Sequence, residues 1–119
     1  MSDACYCDYE PSEFYDTREQ VARKTHKCYE CARAIAPGER YEYTVSKYDG
    51  SIDVSKTCPR CLALRKWVQA HVPCFCWYHG SMLDDADETM RQYVHEVPGL
   101  GMEYGRLRVA VNLAPRVSA

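Results

Sequence analysis

Three features are scarce in this 119-residue sequence, and each scarcity narrows the class of protein. No apolar run approaches the roughly 20 residues of a transmembrane helix, so no membrane contact is expected. Basic residues are not in excess, since the formal net charge is −2, which argues against nucleic-acid binding through overall charge alone. Only two phenylalanines are present, so we expect a small core.

The first residues, MSDACYCD, contain neither the basic nor the apolar segment of a secretory signal peptide. We therefore expect a reducing, cytoplasmic location, where paired cysteines bind metals more often than they form disulfides. A small domain with a thin core commonly gains its stability from a bound metal. The composition therefore makes the cysteines the first candidates for metal ligands.

Eight cysteines are present, and they form four short pairs: Cys5/Cys7, Cys28/Cys31, Cys58/Cys61 and Cys74/Cys76. The two inner pairs have C-x-x-C spacing and predict one tetrahedral zinc site made of four thiolates. The two outer pairs have C-x-C spacing and predict a second zinc site, with His71 or His79 as an alternative ligand. The remaining interpretation of the outer pairs is that they are small buried hydrophobic residues.

The inner pairs flank a predicted hairpin and open a predicted helix. Residues 41–45 and 52–54 alternate in polarity and are joined by the turn dipeptide Asp49-Gly50. Pro59 is well placed in the first turn of a helix that Pro73 ends. This order is the layout of a treble-clef zinc finger. The predicted fold class is therefore α+β, a small zinc-stabilised, treble-clef-like domain with additional C-terminal helices.

The flanking segments give weaker signals. Residues 11–22 have a faint helical stripe and predict a short helix. Residues 81–97 predict a helix with Ser81 and Asp84 as a capping box. Residues 101–114 fit a strand or a helix, and we favour the helix. The predicted organisation is a two-site zinc-binding core over residues 1–80, with a helical extension over residues 81–119 packed on it.

Two short segments are candidate partner-binding surfaces. The aromatic residues Phe75, Trp77 and Tyr78 surround the last cysteine pair, and they either complete the core or contact a partner. The basic segment contains Arg23, Lys24 and Lys27. Mixed charge runs of this kind are usually solvated surface, although a basic face would also suit a nucleic acid.

Three stretches resemble a group of small cysteine-rich proteins encoded by bacteriophages and prophages: KTHKCYECARAIAPGERY, CPRCLALRKW and VPCFCWYHGSMLDD. The resemblance covers most of residues 5–85 and fades in the C-terminal segment. It implies a cytosolic phage protein that acts inside a bacterial host, and it implies no catalytic residues.

The predicted function is a non-enzymatic binding protein with structural zinc, directed at a host protein such as a component of a defence system, CRISPR included. Four-thiolate sites leave no open coordination position for a substrate. The alternative is a nucleic-acid-binding regulator. A His-Asn-His nuclease is disfavoured because the helix start carries Cys58 and Cys61. A cysteine hydrolase is disfavoured because every cysteine belongs to a pair. The sequence leaves the partner and the oligomeric state open.

Overall fold

The computed structural model describes residues 14–48, 50–96 and 98–115. Its strands and helices, in chain order, are β1 (Phe14–Val21), β2 (His26–Lys27), β3 (Ala34–Ile35), β4 (Arg40–Tyr48), β5 (Ser51–Thr57), α1 (Pro59–His71), α2 (Met82–Tyr93) and α3 (Leu100–Leu113). The strands precede the helices along the chain. The predicted α+β class is confirmed.

The predicted hairpin is formed by β4 and β5. The two strands pair antiparallel, with Val45 opposite Val54 and Tyr48 opposite Ser51. β4 is rich in tyrosine and both strands contain β-branched residues, and such side chains favour the extended backbone. β1 pairs antiparallel with the other edge of β4, which gives a three-stranded sheet of order β1-β4-β5. The short strands β2 and β3 form a separate two-stranded sheet.

The helix predicted for residues 11–22 is wrong where the structure describes it. Residues 14–21 form β1, and residues 11–13 lie outside the described residues. β1 pairs with β4 along its full length, from Phe14 opposite Lys47 to Val21 opposite Arg40. A short helix is marginal unless a strong apolar face packs it, and the stripe here is weak. The sheet edge instead offers this segment a partner for every residue.

The helix predicted after the second C-x-x-C pair is confirmed as α1. Cys58 is its N-cap and Pro59 its first residue, and it ends before Pro73. Cys61, Leu64, Arg65 and Val68 follow three- and four-residue spacing and are buried on one side of the helix, and Leu62 is buried as well. The buried side positions the helix against the rest of the molecule.

The two C-terminal helices are also confirmed. α2 begins after Ser81 but ends at Tyr93, before the predicted Pro98-Gly99 stop, and the preferred helical interpretation of residues 101–114 corresponds to α3. Asp87 on α2 accepts hydrogen bonds from Tyr104 and Arg108 on α3. This polar link fixes the two helices against each other.

One continuous core joins the strands and helices. Its most deeply buried apolar side chains come from β3 and all three helices: Ile35, Leu64, Val68, Met82, Met90 and Val111. Trp67 of α1 packs against Tyr104 of α3, with ring centroids 6.2 Å apart. Among the described residues, no helix has both the length and the apolar character needed to cross a membrane.

Candidate metal centre

The four inner cysteines meet in one cluster, as their spacing predicts. The sulfur atoms of Cys28, Cys31, Cys58 and Cys61 all lie within 4.8 Å of one another. The Sγ atoms of Cys28 and Cys61 are 3.9 Å apart, and those of Cys31 and Cys58 are 3.8 Å apart. Four sulfurs at about 2.3 Å from a central zinc, arranged as a tetrahedron, would be about 3.8 Å apart. The donor set and its spacing therefore fit a tetrahedral metal ion.

The first pair lies in a tight turn between β2 and β3. The turn is closed by two backbone hydrogen bonds, from Cys28 N to Arg33 O at 2.9 Å and from Ala32 N to Cys28 O at 3.0 Å. Ala32 has a φ of 62°, in the left-handed region that glycine adopts more easily. The chain accepts this strained residue directly after Cys31, where the backbone reverses.

The second pair lies at the amino terminus of α1. Cys58 N donates to the sulfur of Cys28 at 3.3 Å, and Cys61 N donates to the sulfur of Cys58 at 3.4 Å. The free N–H groups and the positive end of the helix dipole stabilise negative charge at this position. The same arrangement lowers the pKa of cysteines at helix starts in general. The site is thus built to hold thiolates.

Without a cation the four sulfurs compete for protons. Hydrogen bonds to Cys31, Cys58 and Cys61 hold the pKa of Cys28 far below that of an ordinary thiol. Hydrogen bonds to Cys28 raise the pKa values of Cys58 and Cys61 in turn. A divalent cation removes this competition because it binds all four as thiolates.

The outer cysteines are only partly within the described residues. The Sγ atoms of Cys74 and Cys76 are 3.8 Å apart, the same spacing as in the inner cluster. Both cysteines are disulfide-bonded in this structure, but not to each other, because an S–S bond is about 2 Å long. Cys5 and Cys7 lie outside the described residues.

His71 and His79, the alternative ligands for the second site, each contact other groups among the described residues. His71 is exposed and stacks on Trp67 at 4.3 Å, with Nδ1 placed 2.8 Å from the Trp67 carbonyl oxygen. His79 contacts the hydroxyl of Tyr15 through Nε2 at 3.1 Å, and its Nδ1 lies 3.6 Å from a carboxylate oxygen of Glu30. Both imidazoles therefore have structural neighbours of their own.

The aromatic segment after Pro73 contributes mainly to packing. Phe75 is buried in the core, and Trp77 is partly buried with the Arg65 guanidinium 4.6 Å above its ring. Tyr78 is exposed. Of the three predicted partner-binding aromatics, Tyr78 is thus the one with substantial access to solvent.

A surface that the sequence did not reveal lies around the turn at residues 78–80. Tyr15, Tyr29 and Tyr78, hereafter the tyrosine surface, have between 44% and 51% of their area exposed. Tyr15 stacks on His79, and the Tyr29 ring lies so close to Gly80 that a Cβ atom there would be 2.8 Å from it. These tyrosines are far apart in the sequence, and only the fold brings them together.

The predicted basic residues separate into two positions. Arg23 and Lys24 line a cavity of about 720 Å³ together with Gln20, Val21, His26 and Tyr41. Lys27 is exposed on β2 and is not part of the lining. A basic cavity is therefore present, and Arg23 and Lys24 of the predicted segment are the arginine and lysine residues that line it.

No family model, no curated protein and no solved structure matches this chain. The candidate function therefore depends on the geometry and chemistry of the residues themselves.

Proposed function

We propose that the inner cysteine cluster binds one structural zinc ion and that the surrounding fold is a treble clef. The observation that carries this proposal is the convergence of four sulfurs within 4.8 Å. Zinc is the usual metal of four-cysteine tetrahedral sites, and such sites leave no position for water or substrate. The order of a cysteine turn, a hairpin and a cysteine pair at a helix start supports the treble-clef assignment.

Native mass spectrometry of the full chain, purified from bacterial cytoplasm under reducing conditions, tests the metal. We expect a mass increase that corresponds to bound zinc, removed by denaturation in acid. A Cys28→Ser variant should lose one zinc ion relative to the wild type. A folded wild type with no metal, or with a metal that the variant retains, would contradict the proposal.

The outer cysteines form the second part of the proposal. Cys5 and Cys7, together with Cys74 and Cys76, bind a second zinc ion in the reduced protein, and disulfide bonds are the oxidised alternative. Four thiolates are a complete ligand set for tetrahedral zinc, and the reduced outer cysteines would supply them. In the structure Cys74 and Cys76 are disulfide-bonded, with their sulfurs 3.8 Å apart. A second metal would join the amino terminus to the segment after α1.

Thiol alkylation after unfolding without reductant separates the two states of the outer cysteines. Two zinc ions and eight alkylated thiols per reduced chain would support the second site. One zinc ion with only four alkylated thiols would show that the outer cysteines are disulfide-bonded, and the second site would then be rejected.

The protein itself acts by binding another protein, and we place this interaction on the tyrosine surface. Tyrosine is enriched in interface hot spots because a ring and a hydroxyl give large contact area and a hydrogen bond at low entropic cost. The proposed target class is a bacterial host protein, for example a component of a defence system such as CRISPR, and this class rests only on the sequence resemblance to phage-encoded proteins. A closed metal site supports binding over catalysis.

Crosslinking in the host tests the location of the interaction. Wild-type protein and a Tyr29→Ser/Tyr78→Ser variant are compared with a Val109→Ser control, since Val109 is similarly exposed but lies on α3. We expect one crosslinked partner for the wild type and the control, and at least a tenfold loss for the tyrosine variant. Equal crosslinking by all three would place the interaction elsewhere.

Nucleic-acid binding is the second candidate function, and one observation favours it. In the part of the chain that the structure describes, Arg23, Lys24 and Lys56 make no ion pair with an acidic residue. Cations without acidic partners are available for phosphate groups. The net charge of −2 does not oppose a local site of this kind.

A further inference from the structure

One face of the three-stranded sheet carries a cross-strand row of an arginine, a tyrosine and a lysine. Arg18 on β1 lies opposite Tyr43 on β4, which lies opposite Lys56 on β5. Directly paired residues of antiparallel strands project on the same side of the sheet. The guanidinium carbon of Arg18 lies 5.2 Å from the centre of the Tyr43 ring. The row thus combines an arginine stacked on an aromatic ring with a second cation.

The basic cavity adjoins this row. Gln20 and Tyr41 lie two residues further along the same strands, and their side chains are joined by a 2.6 Å hydrogen bond. On the other side, Lys56 Nζ lies 3.1 Å from His26 Nδ1, and His26 lines the cavity. The cavity and the row therefore form one continuous surface, which we name the cationic face and which comprises Arg18, Arg23, Lys24, His26, Tyr43 and Lys56.

The acidic residues near this face are mostly paired with other cations. Glu19 contacts Arg40 and Lys66, with closest N to O distances of 3.8 and 3.5 Å. Glu42 pairs with Arg65 on the opposite side of the sheet. Asp16 is the exposed carboxylate on the same side, beyond Arg18. Positive charge is thus concentrated at the end of the sheet that holds the cavity.

His26 positions Lys56 at the edge of the cavity. Lys56 Nζ lies within hydrogen-bond distance of His26 Nδ1, at 3.1 Å. Because an ammonium group has three N–H donors, Lys56 keeps donors for a ligand.

We propose that the cationic face binds single-stranded nucleic acid. Phosphate groups enter the cavity and contact Arg23, Lys24 and Lys56, while a base stacks on the Arg18 guanidinium that covers Tyr43. Single strands are bound where a basic groove accompanies aromatic rings or arginine planes on a sheet, because unpaired bases are free to stack. This inference rests on the second candidate function and assigns it a location and a ligand class.

Fluorescence anisotropy with a labelled 12-nucleotide oligothymidylate, titrated with the zinc-loaded full chain between 50 and 200 mM salt, tests the inference. Three phosphate contacts predict a slope of about −2 for log affinity against log salt, since each contact contributes roughly 0.7 for a single strand. Lys24→Ala and Lys56→Ala should each reduce the steepness of this slope by about 0.7.

The matched control is Lys66→Ala, which removes the same charge from an exposed lysine that is paired with Glu19 on the other side of the sheet. Its affinity and slope should match the wild type. Tyr43→Leu retains much of the packing volume and should weaken binding roughly 5- to 150-fold if a base stacks on the row. The thermal transition of each variant must remain within a few degrees of the wild type.

Three outcomes would overturn the inference, and each has a different consequence for the nucleic-acid function, its location or its ligand class. No binding by the wild type at 50 mM salt would reject both the inference and the nucleic-acid function. Binding that Lys24→Ala, Lys56→Ala and Lys66→Ala weaken equally would keep the function and reject this location. Inorganic polyphosphate or a DNA duplex that competes as well as the single strand would reject the base contact and the single-strand preference.

Discussion

The cysteine cluster and the Glu42–Arg65 pair both bury acidic groups, yet they obtain their positive partners from different sources. Cys61 and Arg65 are both buried on α1, one helical turn apart on the same side. Glu42 on β4 receives its cation from the chain, through Arg65 nitrogens at 2.9 and 2.5 Å. Among the described contacts no cationic side chain pairs directly with the four cysteines, although the charge of Arg60 interacts with Cys58 and Cys31. On our proposal a zinc ion supplies the balancing charge.

This difference determines when each site becomes stable. Arg65 is present as soon as α1 packs on the sheet, so its pairing with Glu42 depends on folding alone. Burial by itself would raise the pKa of Glu42, but the hydrogen bonds and the charge of Arg65 outweigh it and the pKa is lowered. On our proposal, the cysteine centre instead couples folding to the concentration of zinc.

The largest expected effect is the loss of a cysteine ligand. Cys61→Ser should abolish the cooperative unfolding transition, because zinc binding contributes about 10–16 kcal/mol in small domains and total stabilities are only about 5–15 kcal/mol. Circular dichroism during thermal unfolding, with metal content determined on the same sample, measures this. Cys76→Ser is the contrast variant and should retain the inner zinc. A metal-free Cys61→Ser protein as stable as the wild type would show that the cluster is not structural.

The next largest effect should follow from removing the internal cation. Arg65→Met leaves Glu42 buried without a partner and should lower the free energy of unfolding by about 3–5 kcal/mol, measured by urea denaturation. The double variant Arg65→Met/Glu42→Leu should recover most of this loss, because no charge is then buried. Lys66→Met is the control and should cost at most about 1 kcal/mol, since its pair with Glu19 is exposed. A loss for Arg65→Met no larger than the control would disprove a structural role for the pair.

The polar residues beside Glu42 permit a finer comparison. Thr44 and Thr57 are both fully buried, but Thr44 Oγ1 lies 2.9 Å from Thr17 Oγ1, whereas Thr57 Oγ1 has no hydrogen-bond partner among the described residues. Thr44→Val should therefore cost about 1 kcal/mol, and Thr57→Val should be neutral or stabilising. Urea denaturation of the two variants gives the difference directly. An equal loss of unfolding free energy in both variants would mean that the hydrogen bond between Thr44 and Thr17 does not contribute to stability.

Short-range signals explain why the cysteine centre was predictable. The C-x-x-C spacing, the Asp-Gly turn and the proline at the start of α1 are each local in sequence, and each is tied to one backbone geometry. The inner cysteine cluster, the hairpin, α1 and α2 followed from signals of this kind, whereas residues 101–114 fitted a strand as well as a helix. The clustering of the four sulfurs within 4.8 Å shows one possible metal site, at the cysteines that the spacing singled out.

The unpredicted features depend on contacts between distant residues. The strand β1 forms because β4 offers it a pairing edge. The alternating sequence of β4 predicts two faces of the sheet, but it does not indicate that the face with Glu42 and Thr44 is the buried one. The Glu30 carboxylate accepts hydrogen bonds from Gly80 N and Met82 N at the start of α2, at 3.0 and 3.1 Å, and the predicted capping box is not formed. Nothing in the sequence separates the buried Arg65 from the neighbouring exposed Lys66, because only the packing of α1 on the sheet buries Arg65.

The smallest expected effect concerns the backbone of the cysteine centre. Ala32 occupies the left-handed region directly after Cys31, with a φ of 62°. Ala32→Gly should relieve this strain and raise the free energy of unfolding by about 0.5–1 kcal/mol at saturating zinc. Ala63→Gly in α1, where Ala63 is exposed, is the control of opposite sign and should cost about 1 kcal/mol.

The comparison of these two variants with and without zinc separates the backbone from the metal. The zinc affinity of each variant is measured by competition with a chelator. If the left-handed conformation of Ala32 is needed to orient Cys31 toward the ion, Ala32→Gly should bind zinc more tightly than the wild type. Ala63→Gly should bind zinc with unchanged affinity. A stabilisation that persists without a change in zinc affinity would mean that the strain belongs to the turn alone. A loss of stability in Ala32→Gly would contradict the strained geometry itself, because glycine adopts this φ without steric cost.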